Sequence, residues 1–464
     1  MSHRASIPAV LLAFVAVACG DAGSDTSGGT TTTGTGSTTD ENRAPEWVSA
    51  PELPVSIGEG QTKEIAVDFQ DADGDVIVVE IVAPDGVEVA VDAEQTRLTL
   101  RAGYGSAGVH DVEVTLSDAE AKSPVKLVVE VAPLAWLDRA EWTEAQGPEA
   151  REHGSLLFVP GAAPEKDRFV MFGGTGYSPY GETFADAWAF SPATGTWASL
   201  AVEGTVPAGA GSRRVAPAAE PGVAYLFGGY GLNSVTNREL FRMTASETAI
   251  TFEELEQTNP PPRRALHAFV HDAESGRFFV FGGFGTKVLG DTWVGTIEGN
   301  TATWTEVATP SAPTPRYGFF YGLDSARRRL VVWSGAQGAN PIDPAGDAWA
   351  LDLAADPPVW SLLLDGAAPG APPGRRNGCF VFDPSGPRLA VFGGTADAAT
   401  TQPGLWMLDV RPDQPRWDRV ELPDEPKGRS SGFGALDAEG HLWMGFGNTA
   451  QAVFRDFSEL GYAD

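Results

Sequence analysis

The stretch Arg277–Gly285, RFFVFGGFG, is an apolar run of β-forming residues that ends in two adjacent glycines. Glycine loses the most conformational freedom on folding, so a pair directly after a strand needs a structural reason. The pattern recurs as VMFGG at Phe172, YLFGG at Phe227, FVFGG at Phe281 and AVFGG at Phe392, with weaker copies VVWSG at Trp333 and MGFGN at Phe446. Successive aromatics are 55, 54, 52, 59 and 54 residues apart. A period of that length marks an array of small supersecondary units.

Each copy carries more than glycines. A Pro-rich stretch with an arginine precedes it: Arg151, Arg214, Arg264, Arg316, Arg376 and Arg429. A variable loop and an aromatic strand follow: DAWAF, ELFRM, DTWVG, DAWAL, GLWML and RDFSE. A further aromatic ends the first five units, at Trp197, Phe252, Trp304, Trp360 and Trp417. This ordered set resembles the Kelch repeat and extends from about Trp142 to the C-terminus. The resemblance implies a β-propeller with one four-stranded blade per repeat. In such a ring the inner strands are crowded, and glycine there admits positive φ and close approach of neighbouring backbone. The aromatics fill the wedges between blades, each contributing about 1.5–3 kcal/mol on burial.

The count of blades follows from a strand that the last unit lacks. The closing aromatic lies 23 to 27 residues after each glycine-pair aromatic, and the sixth would fall beyond Asp464. Upstream of the first unit, AEWTEAQGPEAREHG resembles ATWTEVATPSAPTPRYG, which begins at Ala302. Trp142 is therefore expected to lie in the outer strand of the last blade, so that six blades close at the seam between the two ends of the ring.

Before the array the chain changes character three times. Residues 1–18 have a basic start, an apolar run from Ile7 to Val17 and small residues, the pattern of a signal peptide too short to span a bilayer. It ends Ala16-Val17-Ala18-Cys19, which resembles a bacterial lipobox and implies lipidation of Cys19. Residues 19–44 are a Gly/Ser/Thr-rich tract expected to be a disordered tether. Residues 45–134 alternate with period two in about seven short segments separated by turns such as DADGD and PDG, which reads as a β-sandwich. Through EGQTKEIAVDFQDADGD and VEVTLSD this segment resembles Ig-like and cadherin-like modules of bacterial surface proteins. The fold class expected for the chain is all-β: a six-bladed Kelch β-propeller, residues 135–464, preceded by an Ig-like β-sandwich.

Asp71, Asp73 and Asp75 suit a hard cation such as structural calcium. They do not complete an EF-hand loop, because Val76 and Val82 stand where that loop has glycine and glutamate. An Asp/Gly turn explains the same residues. No other cofactor is expected.

The formal net charge of −30 repels nucleic acid and anionic lipid. No nucleic-acid partner is expected, and contact with a membrane only through the lipid anchor. Two cysteines, Cys19 and Cys379, exclude a disulfide framework. His267 and His271, four apart on a strand, stand about 13 Å from one another, too far to share a metal. Galactose oxidases are copper enzymes of the Kelch type, and no histidine–tyrosine set here matches theirs. No P-loop is present.

The arginine before each unit is the clearest functional signal. Six guanidinium groups in a strongly acidic chain are expected to ring one mouth of the channel, where they either recognise carboxylate or phosphate or tie blade to blade. The variable loops add Tyr177, Tyr180, Tyr230 and Asn340 as candidate ligand contacts. Two functions are open. One is a noncatalytic, monomeric, cell-surface binding module for a protein or glycan, exported and lipid-anchored at a bacterial outer membrane or surface. The other is a mutarotase-like enzyme acting on an acidic sugar in the central funnel.

Overall fold

The computed structural model describes residues 42–462 except 119, 144, 177–181, 232–234, 310, 339–342, 398–399 and 412–414. The leader, the tether with Cys19, and the loop residues Tyr177, Tyr180 and Asn340 lie outside the described residues. Two compact units are present, one of the residues up to Leu134 together with Tyr462 and one spanning Ala135–Gly461.

The first unit is a two-sheet sandwich. One sheet has the order Val55–Gly58, Lys122–Ala132, Gly108–Ser117, Val78–Val82, and the other Thr62–Ala66, Arg97–Ala102, Val87–Val91. The period-two pattern sends alternate side chains inward. Val112, Val114 and Leu116 from one sheet and Leu98 and Leu100 from the other are fully buried in one core.

The second unit is a propeller of six four-stranded antiparallel blades. From the inner strand outward, blade one is Ser155–Val159, Arg168–Phe172, Ala187–Ser191 and Thr196–Gly204. Blade two has inner strands Arg214–Pro217 and Val223–Phe227, blade three Ala268–Asp272 and Arg277–Phe284. Blade four has inner strands Phe320–Asp324 and Arg329–Trp333, blade five Cys379–Asp383 and Arg388–Phe392. Blade six combines Phe433–Leu436, Leu442–Gly445 and Asp456–Tyr462 with Leu134–Glu141 as its outer strand. That outer strand ends one residue before Trp142, which the repeat had placed inside it. The Trp142 ring instead wedges between blades, 5.3 Å from both the Trp197 and Phe446 rings.

The glycine pairs knit neighbouring blades. The second glycine of each pair, or its equivalent, donates its N–H to a carbonyl of the next blade: Gly174 to Ala210, Gly229 to Arg264, Gly283 to Arg316, Gly335 to Arg375, Gly394 to Arg429 and Gly447 to Arg151, all at 2.8–3.0 Å. At Gly283 this needs φ of +103°, and a Cβ there would lie 2.7 Å from the Ala265 carbonyl oxygen and from His267 Cβ. Only glycine meets both conditions.

Candidate functional site

Four of the six expected arginines share one arrangement. Arg151, Arg264, Arg316 and Arg429 are 0–2% exposed. In each, Nε donates to the carbonyl two residues earlier, at 3.0–3.1 Å. Nη1 donates to the carbonyl of Gly173, Gly282, Ser334 or Phe446, at 2.9–3.1 Å. Both Nη atoms grip the two oxygens of an aspartate: Asp186, Asp291, Asp347 or Asp456. In blades one, three and four the tryptophan two residues further on (Trp188, Trp293, Trp349) also donates Nε1 to that carboxylate at 2.6–2.7 Å. Burial alone would raise the Asp291 carboxyl, but the hydrogen bonds and charge of Arg264 outweigh it and hold it below its ordinary value. These paired hydrogen bonds use the full guanidinium fork, so the four arginines are blade anchors and not contacts for a ligand.

The other two expected arginines, the second of each RR pair at 213–214 and 375–376, are not equivalent to these. In blade five the anchor is Arg375, one residue earlier, with Nε on Pro373 O and Nη1 on Gly393 O. In blade two the anchor's backbone position belongs to Ala210, whose carbonyl takes the Gly174 N–H. Arg213 reaches the matching carbonyl, Gly228 O, from three residues later, at 3.1 Å.

Arg214 and Arg376 are therefore released from the wall. Arg214 begins the inner strand of blade two and extends into the bore. Its Nε donates to His267 O at 3.0 Å, and its guanidinium lies 5.6 Å and 5.7 Å from the Tyr321 and Phe380 rings of blades four and five. Arg376 lies over Tyr317, 5.5 Å from the ring centre. Neither has an acidic partner among the described residues.

Beside them sit groups that the repeat pattern did not single out. Glu152 is 4% exposed and accepts from Thr175 Oγ1 at 3.5 Å and from the Asn448 amide. Burial pushes its carboxyl up to about 7 against the Thr175 bond. His153 follows at φ +56°, its ring edge-on to Tyr230 at 5.7 Å. Burial, then the positive charges of Arg214 and Arg376, push its imidazole down to about 3. The Tyr230 phenol is raised by burial and then by the Glu152 charge.

A belt of backbone hydrogen bonds narrows the bore at this level: Ser212 to His153, His153 to Ser431, Ser431 to Asn377, Asn377 to Gly318 and Gly318 to Leu266, at 2.5–2.9 Å. Of the expected site residues, the fold thus gathers Arg214, Arg376 and Tyr230. Glu152, His153 and Tyr317 join them, and their signal was position: Glu152 and Tyr317 directly follow an anchor, and His153 stands one residue further on, in AREHG and PRYGFF.

Two other clusters have structural explanations. Asp71 Oδ1 accepts the N–H groups of Asp73 and Asp75 at 2.9 and 3.0 Å, and Asp73 pairs with Arg43 at 2.8 Å. These contacts make an Asp/Gly turn, and the carboxylates of Asp71, Asp73 and Asp75 do not converge as a ligand set. Asp437, His441 and Glu459 do converge, with His441 Nδ1 2.7 Å from Glu459 Oε1 and 3.8 Å from Asp437 Oδ2. In the register of the inner hairpins, Asp272, Asp324 and Asp383 face Arg277, Arg329 and Arg388. His441 occupies the corresponding place in blade six, a histidine version of the same turn clasp.

The Kelch-repeats domain model named for KLHDC2, KLHL20 and DRC7 matches residues 126–312. Adagio-like protein 1 of Oryza sativa subsp. japonica is 25% identical over 273 residues, 56% of this chain and 42% of that protein. Adagio protein 3 of Arabidopsis thaliana is 27% identical over 206 residues, 43% of this chain and 33% of that protein.

The chain carries Kelch repeats over residues 126–312.

It spans half or less of the length of these curated relatives. Among solved structures, that titled "Structure of YjhT" covers 72% of this chain and 97% of its own, at 15% identity and a TM-score of 0.45. A fungal alcohol oxidase in complex with copper covers 71% of this chain and 76% of its own, at 12% identity and a TM-score of 0.49.

Proposed function

We propose that the Kelch propeller is a recognition module that takes an acidic group of a protein or glycan at its axial mouth. Arg376 is the ligand cation, Tyr230 and Tyr317 are the aromatic walls, and Glu152 is a buried carboxyl able to donate or accept a hydrogen bond. Arg214 holds positive charge deeper in the bore. One observation carries this reading: in a chain of net charge −30, these two arginines face the axis without an acidic partner among the described residues, while Arg151, Arg264, Arg316 and Arg429 are each saturated by an aspartate. A guanidinium free to offer paired donors is suited to a carboxylate. The Kelch-repeat match supports a protein-binding propeller. In the same proposal Cys19 carries the lipid, residues 19–44 are the tether, and the propeller is displayed at a bacterial outer membrane or cell surface.

The test is an array of acidic peptides and acidic glycans, each paired with its amidated or neutral analogue, probed with the soluble chain. Acid-dependent binding lost in Arg376→Gln, with folding intact, is the expected result. Binding that ignores the acid, or survives the substitution, refutes the assignment.

A second reading has its own support. Glu152, with a proton affinity near neutrality and close to Tyr230, has the makings of an acid–base group for an acidic sugar. Anomer exchange followed by saturation-transfer NMR separates the two. Exchange accelerated by the wild type and abolished by Glu152→Gln selects the enzyme.

A further inference from the structure

Blade five breaks the anchor pattern on one side only. Its arginine is in place: Arg375 is 2% exposed, with Nε 3.1 Å from Pro373 O and Nη1 3.2 Å from Gly393 O, the bonds made by the anchors of blades one, three, four and six. The aspartate is not. In those four blades it directly precedes the residue that pairs with the end of the second strand, as Ala187 pairs with Phe172 and Thr292 with Phe281. In blade five Leu405 pairs with Phe392, and the residue before it is Gly404. A Cβ built on Gly404 would meet only Trp406 within 4 Å, with Nε1 at 3.3 Å and Cδ1 at 3.8 Å. Trp406 corresponds to Trp188, Trp293 and Trp349, whose indole N–H groups donate to the aspartates of their own blades.

Two of the donors that grip a carboxylate in the sister blades are thus left without one. Arg375 has no acidic partner among the described residues, and burial alone pushes its pKa down to about 10. The Glu425 carboxylate is engaged by the backbone N–H groups of Leu405 and Gly404.

We infer that blade five binds a small free carboxylate of about acetate size between the Arg375 guanidinium and the Trp406 indole N–H. The ligand class follows from the sister blades, where a planar, two-oxygen anion takes both Nη atoms and an indole donor together. Its size follows from what Gly404 gives up, the CH2–COO− of an aspartate. This site is separate from the axial mouth and stands whether or not the mouth binds an acidic ligand.

The experiment is thermal unfolding of the chain at pH 7 in sodium acetate against sodium chloride at matched ionic strength. A ligand that binds only the folded state raises Tm with its concentration. Acetate should raise the wild-type Tm saturably above chloride, and Arg375→Met should abolish the difference. Should Arg375→Met fail to fold, Trp406→Phe keeps the ring and removes one donor, and its acetate midpoint should move at least severalfold higher. Equal acetate shifts in wild type and Trp406→Phe, or a chloride shift as large as that of acetate, overturn the inference. Triglycine supplies the alternative source, a polypeptide carboxylate. A rise with triglycine and none with acetate also overturns the free-anion assignment.

Discussion

The backbone N–H of Gly447 donates to the carbonyl of Arg151 at 2.9 Å, and this bond joins the last blade to the first. Gly447 makes it at φ +82°, with the Ser430 carbonyl oxygen 2.4 Å from where a Cβ would lie. Gly447→Val combines a disfavoured backbone conformation with an overlap against backbone atoms, and should cost about 3 kcal/mol or more. Thermal unfolding followed by near-UV circular dichroism measures the loss. An unchanged Tm would contradict the role assigned to the glycine pairs.

The Arg264–Asp291 pair should behave as a buried anchor. Arg264→Met leaves the Asp291 carboxylate without its partner and should destabilise by about 3–5 kcal/mol. The double variant Arg264→Met/Asp291→Leu should recover a large part of that, because both charges are gone. Breaking the exposed Arg97–Glu64 pair, 3.0 Å apart, should cost about 1 kcal/mol or less. Urea unfolding midpoints compare the three.

Glu152 and His153 are neighbours that should tilt the pH dependence of stability in opposite directions. Glu152 is raised to about 7 in the folded state from an ordinary 4.5. Its contribution is complete below about pH 4.5 and is lost as pH rises through 7. His153 is lowered to about 3 from an ordinary 6.5. Its contribution is complete above about pH 6.5 and is lost as pH falls toward 3. Relative to wild type, Glu152→Gln should therefore gain stability between pH 5 and 8, and His153→Asn should gain it between pH 6 and 4. Urea midpoints across pH 4–8 read both slopes.

Trp142 should matter more than its place after a strand suggests. Its ring touches both Trp197 of blade one and Phe446 of blade six, and its Nε1 donates to Pro148 O at 2.9 Å. Trp142→Ala should cost about 3 kcal/mol, read as a lower urea midpoint. A loss below about 0.5 kcal/mol would remove the residue from the ring closure.

Most of the propeller was legible in the sequence because its elements recur in fixed order. A glycine pair that needs positive φ and an aromatic that fills a wedge are each demanded by local geometry, so they repeat visibly. The roles of the arginines were harder to read. Where RR stands at 213–214 and 375–376, one side chain turns to the wall and the other to the axis, and the sequence does not mark which. Backbone bonds decide it: the Gly335 N–H donates to the Arg375 carbonyl, which leaves Arg376 as the residue after the anchor.

The aspartates of the anchors did leave a signal. Asp186, Asp291 and Asp347 all stand two residues before tryptophan in DAWAF, DTWVG and DAWAL, and the departures ELFRM and GLWML fall in blades two and five, whose Arg214 and Arg376 are not anchors; blade three, with its own doubled Arg263–Arg264, keeps its aspartate. Reading arginine and aspartate as one covarying unit would have separated anchors from axial residues. Glu152 was marked only by its position after Arg151, since burial, not residue type, distinguishes it from other carboxylates.

The central claim is that these arginines divide into wall anchors and axial residues, and a paired substitution tests it most directly. Tm is measured for Arg316→Gln and Arg376→Gln under one condition. Arg316→Gln breaks a buried bidentate pair with Asp347 and should lower Tm by many degrees, whereas Arg376→Gln should leave it within about 2 °C of wild type. Equal losses in the two variants, or a larger loss in Arg376→Gln, would contradict the division and return Arg376 to the scaffold.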